Sequence, residues 1–214
     1  MQRLRLLWWS LLVAVPAALQ YAGRLSGQEP DRDVLYRYST AVGAALIYAV
    51  LLVLVLAIAG FSRDLLALYR PRSWPRALAL SAALFVGVFV TIALLEQVLH
   101  GGKEQGLTPN GWQPDHAGAY VANFLVIAIV APIVEELTFR GLGYSLLEPF
   151  GRWTAIVLIG IVFALQHGLV QGFPELMLFG CALAWLRAQT KSIYPCMLLH
   201  STFNSIALVA AVAQ

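Results

Sequence analysis

Charge is what this sequence has least of. Lys, Arg, Asp and Glu make up 12% of its 214 residues and hydrophobic residues 60%, where a water-soluble domain carries about 25% charged residues. A chain so poor in charge has no polar surface to turn toward water. A soluble globular fold is therefore excluded, and lipid has to be the solvent. Cysteine is nearly missing as well: Cys181 and Cys196 are the only two, both inside apolar runs without paired spacing. That excludes a disulfide framework and a thiolate metal site, and leaves both as small packing residues. The net charge of +3 does not point to nucleic acid, because the basic residues sit in short connections between apolar runs.

Those apolar runs are the main content of the sequence. Seven lie near residues 4–22, 38–61, 77–99, 118–148, 152–170, 173–190 and 193–213, each close to the ~20 residues that a helix needs to cross a bilayer. They predict an all-α fold, a polytopic transmembrane helix bundle of about seven spans. The first run follows Arg3 and Arg5 like a signal peptide, but its length and the further spans behind it make it an uncleaved helix. Arg3, Arg5, Arg63, Arg70, Arg72, Arg76, Arg140, Arg152, Arg187 and Lys191 fall on one side of such a bundle. Arg24, Arg32, Arg37 and Lys103 fall on the other, ten against four, which puts the N-terminus in the cytoplasm and the C-terminus outside. Trp8, Trp9, Trp74, Trp112 and Trp153 read as interfacial anchors. Residues 1–117 carry no motif, whereas residues 118–214 are dense in polar groups within apolar helices, the two forming one integrated membrane domain.

Ionisable groups inside a span are expensive and are functional candidates by default. Glu135, Glu136 and Arg140 lie in the fourth run, His167 in the fifth, and His200 and Asn204 in the seventh. Glu136 and Arg140 are four apart, so they share a face and can form an ion pair that offsets the burial of both. Glu135 is turned by about 100° from its neighbour and lacks that partner, so it is the carboxylate left to act as a base toward water and then as an acid toward a leaving amine. The bland alternative is one structural ion cluster of Glu135, Glu136 and Arg140. His200 and Asn204 are also four apart, and an imidazole beside a carboxamide can donate hydrogen bonds to a developing oxyanion. Counting residues from the turns, with the fourth run helical through Leu147, puts Glu135 level with His167 and with Asn204. His200 then comes one turn nearer the cytoplasm.

The ordered set Glu-Glu-x-x-x-Arg (Glu135, Glu136, Arg140), Phe-x-x-x-His (Phe163, His167) and His-x-x-x-Asn (His200, Asn204) resembles the three motifs of the CAAX-protease and bacteriocin-processing family, also called CPBP or Abi. The resemblance covers about residues 118–210, with all three motifs intact. It implies an intramembrane endopeptidase of the glutamate type, in which Glu135 and His167 activate the attacking water. His200 and Asn204 would stabilise the oxyanion, while Glu136, Arg140 and Phe163 would support the site. No cofactor is implied. The residues themselves leave a zinc-dependent alternative open, with Glu135, His167 and His200 as ligands; Asn204 beside His200 suits an oxyanion hole better.

Other readings remain. No His-Glu-x-x-His occurs, and Asp31, Asp33, Asp64 and Asp115 all lie in connections, so the zinc-helix and aspartate-pair chemistries have no basis. Gly143-Tyr144-Ser145 has the Gly-x-Ser of rhomboid serine proteases, but at the far end of its helix from His167. An ion-coupled transporter and a non-proteolytic scaffold or immunity protein are the alternatives from other classes. Glu96, His100 and Glu175, at the ends of the third and sixth runs, need no function. The expected partners are the lipid bilayer and a membrane-associated protein or peptide substrate, in a bacterial cytoplasmic membrane. That substrate is a prenylated protein, a bacteriocin-like peptide or a sorted surface protein.

Overall fold

The computed structural model describes residues 2–26, 33–99, 104, 109 and 111–213. Asp31, Arg32, His100 and Lys103 lie outside the described residues. Seven long helices run in order: α1 Gln2–Leu25, α2 Tyr38–Ala59, α3 Trp74–Leu99, α4 Pro114–Phe150, α5 Arg152–Gln166, α6 Phe173–Thr190 and α7 Tyr194–Val212. The all-helical bundle expected from the apolar runs is the fold.

Five of the seven, α1, α2, α3, α4 and α7, are long and apolar enough to cross a membrane. The other two, α5 and α6, are shorter or more polar. At ~1.5 Å per residue the 15 residues of α5 fall short of the ~30 Å hydrocarbon core. The 18 residues of α6 include Glu175 and Arg187, both buried. These two helices pack tightly on each other, with α1 and α4 against α5 and α3 and α7 against α6, while Trp153, Val157, Leu158 and Leu165 of α5 remain exposed. Where they cross, a Cβ on Gly180 would come within 2.9 Å of the Gly160 backbone, so only glycine permits this approach. Gly151, at φ 116, turns the chain from α4 into α5 in a conformation that L side chains rarely adopt.

Helix α4 spans 37 residues and is not uniform. It passes through two π-helical segments, Val126–Val130 and Leu137–Gly143, on either side of Ala131–Glu136. The first has a cause in the sequence. The Ala131 N–H bonds Val126 O, five residues back, and in that register the next carbonyl, of Ile127, would take its hydrogen bond from residue 132. Pro132 has no N–H to give. The Asn204 Nδ2 of α7 supplies it at 3.0 Å, as a backbone acceptor in lipid requires. At the second π segment, Trp9 Nε1 of α1 donates to Thr138 O at 2.9 Å. Gly143 accommodates the Trp9 ring there, since a Cβ would come within 2.5 Å of it. Trp9 is 3% exposed, a core residue and not an interfacial anchor. Trp8, Trp74, Trp112 and Trp153 are exposed.

The core gathers Trp9, Val55, Phe139, Leu142, Phe163, Phe179, Leu183 and Leu199 from six of the helices. Both cysteines are free; Cys196 is fully buried and Cys181 packs against Gly160. At one end of the bundle, the Glu104 carboxylate accepts hydrogen bonds from the N–H groups of Val170, Gln171 and Gly172 and pairs with Arg24 at 2.9 Å. Burial alone would push this carboxyl up, but the backbone donors and Arg24 outweigh it and hold Glu104 below the usual carboxylate range. The loop so fastened begins at His167. Tyr21 Oη of α1 ties it down further, donating to Leu169 O.

Candidate active site

The chemistry concentrates where α4, α5 and α7 meet. Glu136 and Arg140 form the ion pair that their spacing predicts, with Arg140 Nη1 3.0 Å from Glu136 Oε1 and both side chains 0% exposed. Arg140 Nη2 also donates to Gly180 O at 3.0 Å, and its guanidinium lies 4.4 Å from the centroid of the Phe163 ring. The charge is thus neutralised by a carboxylate, a carbonyl and an aromatic face, which is what burial of a guanidinium demands.

His200 continues this line. Its Nδ1 is 2.9 Å from the same Glu136 Oε1, and since an ionised carboxylate only accepts, Nδ1 carries a proton. Nε2 then points the other way, 3.8 Å from Glu135 Oε2. The two adjacent glutamates therefore bracket one imidazole. Glu136 is sealed, while the side chain of Glu135 keeps 14% exposure and so has access to a small reactant. The other oxygen of Glu135, Oε1, accepts a 2.6 Å hydrogen bond from Tyr48 Oη of α2.

His167 ends α5. Its Nδ1 lies 2.8 Å from Phe163 O; a carbonyl cannot donate, so Nδ1–H is the donor and Nε2 is left for another partner. Phe163 stands between the two imidazoles, its centroid 4.8 Å from that of His167 and 5.8 Å from that of His200. The aromatic ring is thus the wall against which both histidines are set.

Most of the residues singled out from sequence share this junction, and one sits differently. Residue counting puts Asn204 level with Glu135 and His200 one turn away. Instead His200 faces Glu135, while Asn204 faces Ile127, two turns before it. The counting assumes uniform helix and equal turn depths, and the π segments of α4 break that assumption. One N–H of the Asn204 carboxamide is committed to Ile127 O; the second and the amide oxygen are uncommitted among the described residues. No group of three His, Cys, Asp or Glu side chains suited to a metal ion occurs among the described residues. Ser145 Oγ is buried without a hydrogen-bond partner there, which gives the serine-protease reading no base. Glu175 is buried and hydrogen-bonded to Glu96.

Tyr48 is the residue that sequence reading missed. A lone hydroxyl in an apolar helix has to find an acceptor when it leaves water, and that requirement is the signal that points to it. The acceptor's identity is a matter of tertiary packing.

No curated protein and no solved structure matches the chain. The family model described as Type II CAAX prenyl endopeptidase Rce1-like matches residues 117–206, the segment that carries Glu135, Glu136, Arg140, Phe163, His167, His200 and Asn204, and leaves α1 to α3 outside it.

Proposed function

We propose that this protein is an intramembrane endopeptidase that hydrolyses a peptide bond of a membrane-associated substrate with Glu135 as general base. The observation that carries the reading is the division of labour between adjacent glutamates: Glu136 is locked between Arg140 and His200, and Glu135 is left partly open beside His200. The family match and the apolar helices support a membrane-embedded peptidase in general.

In this mechanism a water molecule donates one hydrogen bond to Glu135 Oε2 and another to the lone pair of His167 Nε2. As its oxygen attacks the scissile carbonyl carbon, its proton passes to Glu135. The carbonyl becomes an oxyanion, which accepts hydrogen bonds from His200 Nε2 and from the free N–H of Asn204. Donation from Nε2 requires the His200 ring to carry both protons, because Nδ1 is already bonded to Glu136. When the carbonyl reforms, the C–N bond breaks and Glu135 returns its proton to the leaving amine. No step assigns a role to a metal ion. The N-terminus lies in the cytoplasm, on the side favoured by the basic residues.

The test is cleavage of quenched fluorescent peptides by purified protein in liposomes. A farnesylated peptide with a four-residue C-terminal tail and its unprenylated counterpart serve as substrates, each with and without excess chelator. The expected result is cleavage of at least one, unchanged by chelator. Stoichiometric zinc in active protein, with activity lost to chelator and restored by the ion, would replace Glu135 as base with a metal-bound water at the same residues.

A further inference from the structure

The matched segment starts at residue 117, so nothing in it assigns a role to α2. Yet α2 delivers a hydroxyl to the centre of the site. Tyr48 Oη is 2.6 Å from Glu135 Oε1, across 87 residues of sequence. The bond divides the carboxylate into two unequal oxygens. Oε1 is occupied by a phenol that can only donate to an ionised carboxylate, and Oε2 is the one directed toward His200 Nε2, 3.8 Å away. A carboxylate free to rotate would present either oxygen to the water and lose orientation at each exchange. One held at Oε1 presents Oε2 alone.

We propose that Tyr48 is a positioning residue of the reaction: it fixes the Glu135 carboxylate so that Oε2 takes the proton of the attacking water and gives it to the leaving amine. Oε1 stays bonded to the phenol throughout. The active site is then assembled from both parts of the chain, and α2 acts as more than a lipid-facing wall. The inference rests on the peptidase reading. It differs from a purely structural tie between α2 and α4 in what it predicts for turnover.

Tyr48→Phe keeps the ring and removes one oxygen. With the peptide cleaved by the wild-type protein, kcat should fall by about 10- to 100-fold, by analogy with the loss of an outer-shell partner that orients a metal-binding side chain. KM should stay within about twofold and the melting temperature nearly constant. In a Glu135→Gln background, where no base remains to orient, the same substitution should change the residual rate by less than about twofold. Three outcomes would overturn the proposal. They are a Tyr48→Phe protein that turns over at the wild-type rate; one that melts well below wild type while each folded molecule keeps full kcat; and one that loses the same factor in both backgrounds, the last two making Tyr48 a structural tie. A wild-type protein that cleaves neither peptide overturns the peptidase reading together with this one. An active wild type with an unaffected Tyr48→Phe overturns the Tyr48 role alone.

Discussion

In α2 and α3, 11% of the most apolar stretch is buried inside the protein, whereas in α4 the share is 39%. The two regions answer different solvents. The N-terminal helices turn Leu46, Ile47, Val50, Val53, Phe89 and Val90 outward, and lipid asks nothing of those side chains but that they be apolar. Helix α4 is the more buried, and the polar groups it turns inward have to look to the protein for partners. Several of its partners reach across from other helices: Trp9 from α1, Tyr48 from α2, His200 and Asn204 from α7. Each such bond spans a large sequence distance. In this membrane fold the outer helices contribute through single well-placed donors and the inner ones through a connected network.

Breaking the network should therefore cost more than breaking a single donor. The largest effect on stability is expected for Glu136→Gln. It leaves the Arg140 guanidinium, fully buried, without its carboxylate and removes the acceptor of His200 Nδ1. Loss of one partner of a buried pair costs about 3–5 kcal/mol, which thermal unfolding in detergent should register as a collapse in melting temperature or yield. A Glu136→Gln protein as stable as wild type would remove the distinction between network and donor.

A single donor with two duties sharpens the comparison. Asn204→Ala should lower kcat by about 10²–10³ if its free N–H serves the oxyanion. It also orphans Ile127 O, at about 1–3 kcal/mol. These losses are separable, because the orphan exists only while residue 132 lacks an N–H. Pro132→Ala introduced with Asn204→Ala restores a backbone donor in that stretch of α4. It should recover the melting temperature and leave the rate low. Recovery of both would make Asn204 a structural surrogate for the missing proline donor and nothing else.

How much of this was legible in the sequence follows the same division. The bundle was, because lipid solvation acts through composition. The Glu136–Arg140 pair was, because the four-residue spacing survives inside the second π segment. The split between the glutamates followed from their 100° separation. What depended on the register between helices was not legible. Asn204 and His200 exchange depth relative to Glu135 because α4 has π turns that a uniform rise does not anticipate, although Pro132 marks where the first begins. Trp9 has the composition of an anchor and the position of a core residue, fixed by the space that Gly143 leaves. Seven helices match the seven apolar runs; five of them are long and apolar enough to cross a membrane, while α5 is shorter and α6 carries buried charge.

The central claim is that Glu135, and not its neighbour, holds the proton during hydrolysis, and a Glu135→Gln protein tests it most directly. The amide is nearly isosteric and keeps an oxygen for Tyr48, so folding should be preserved. Reconstituted in liposomes with the cleavable peptide, it should show an unchanged melting temperature and KM and a turnover lower by at least about 10²–10⁴, the contribution of general acid–base catalysis. A folded Glu135→Gln protein that cleaves the peptide at the wild-type rate would contradict the account.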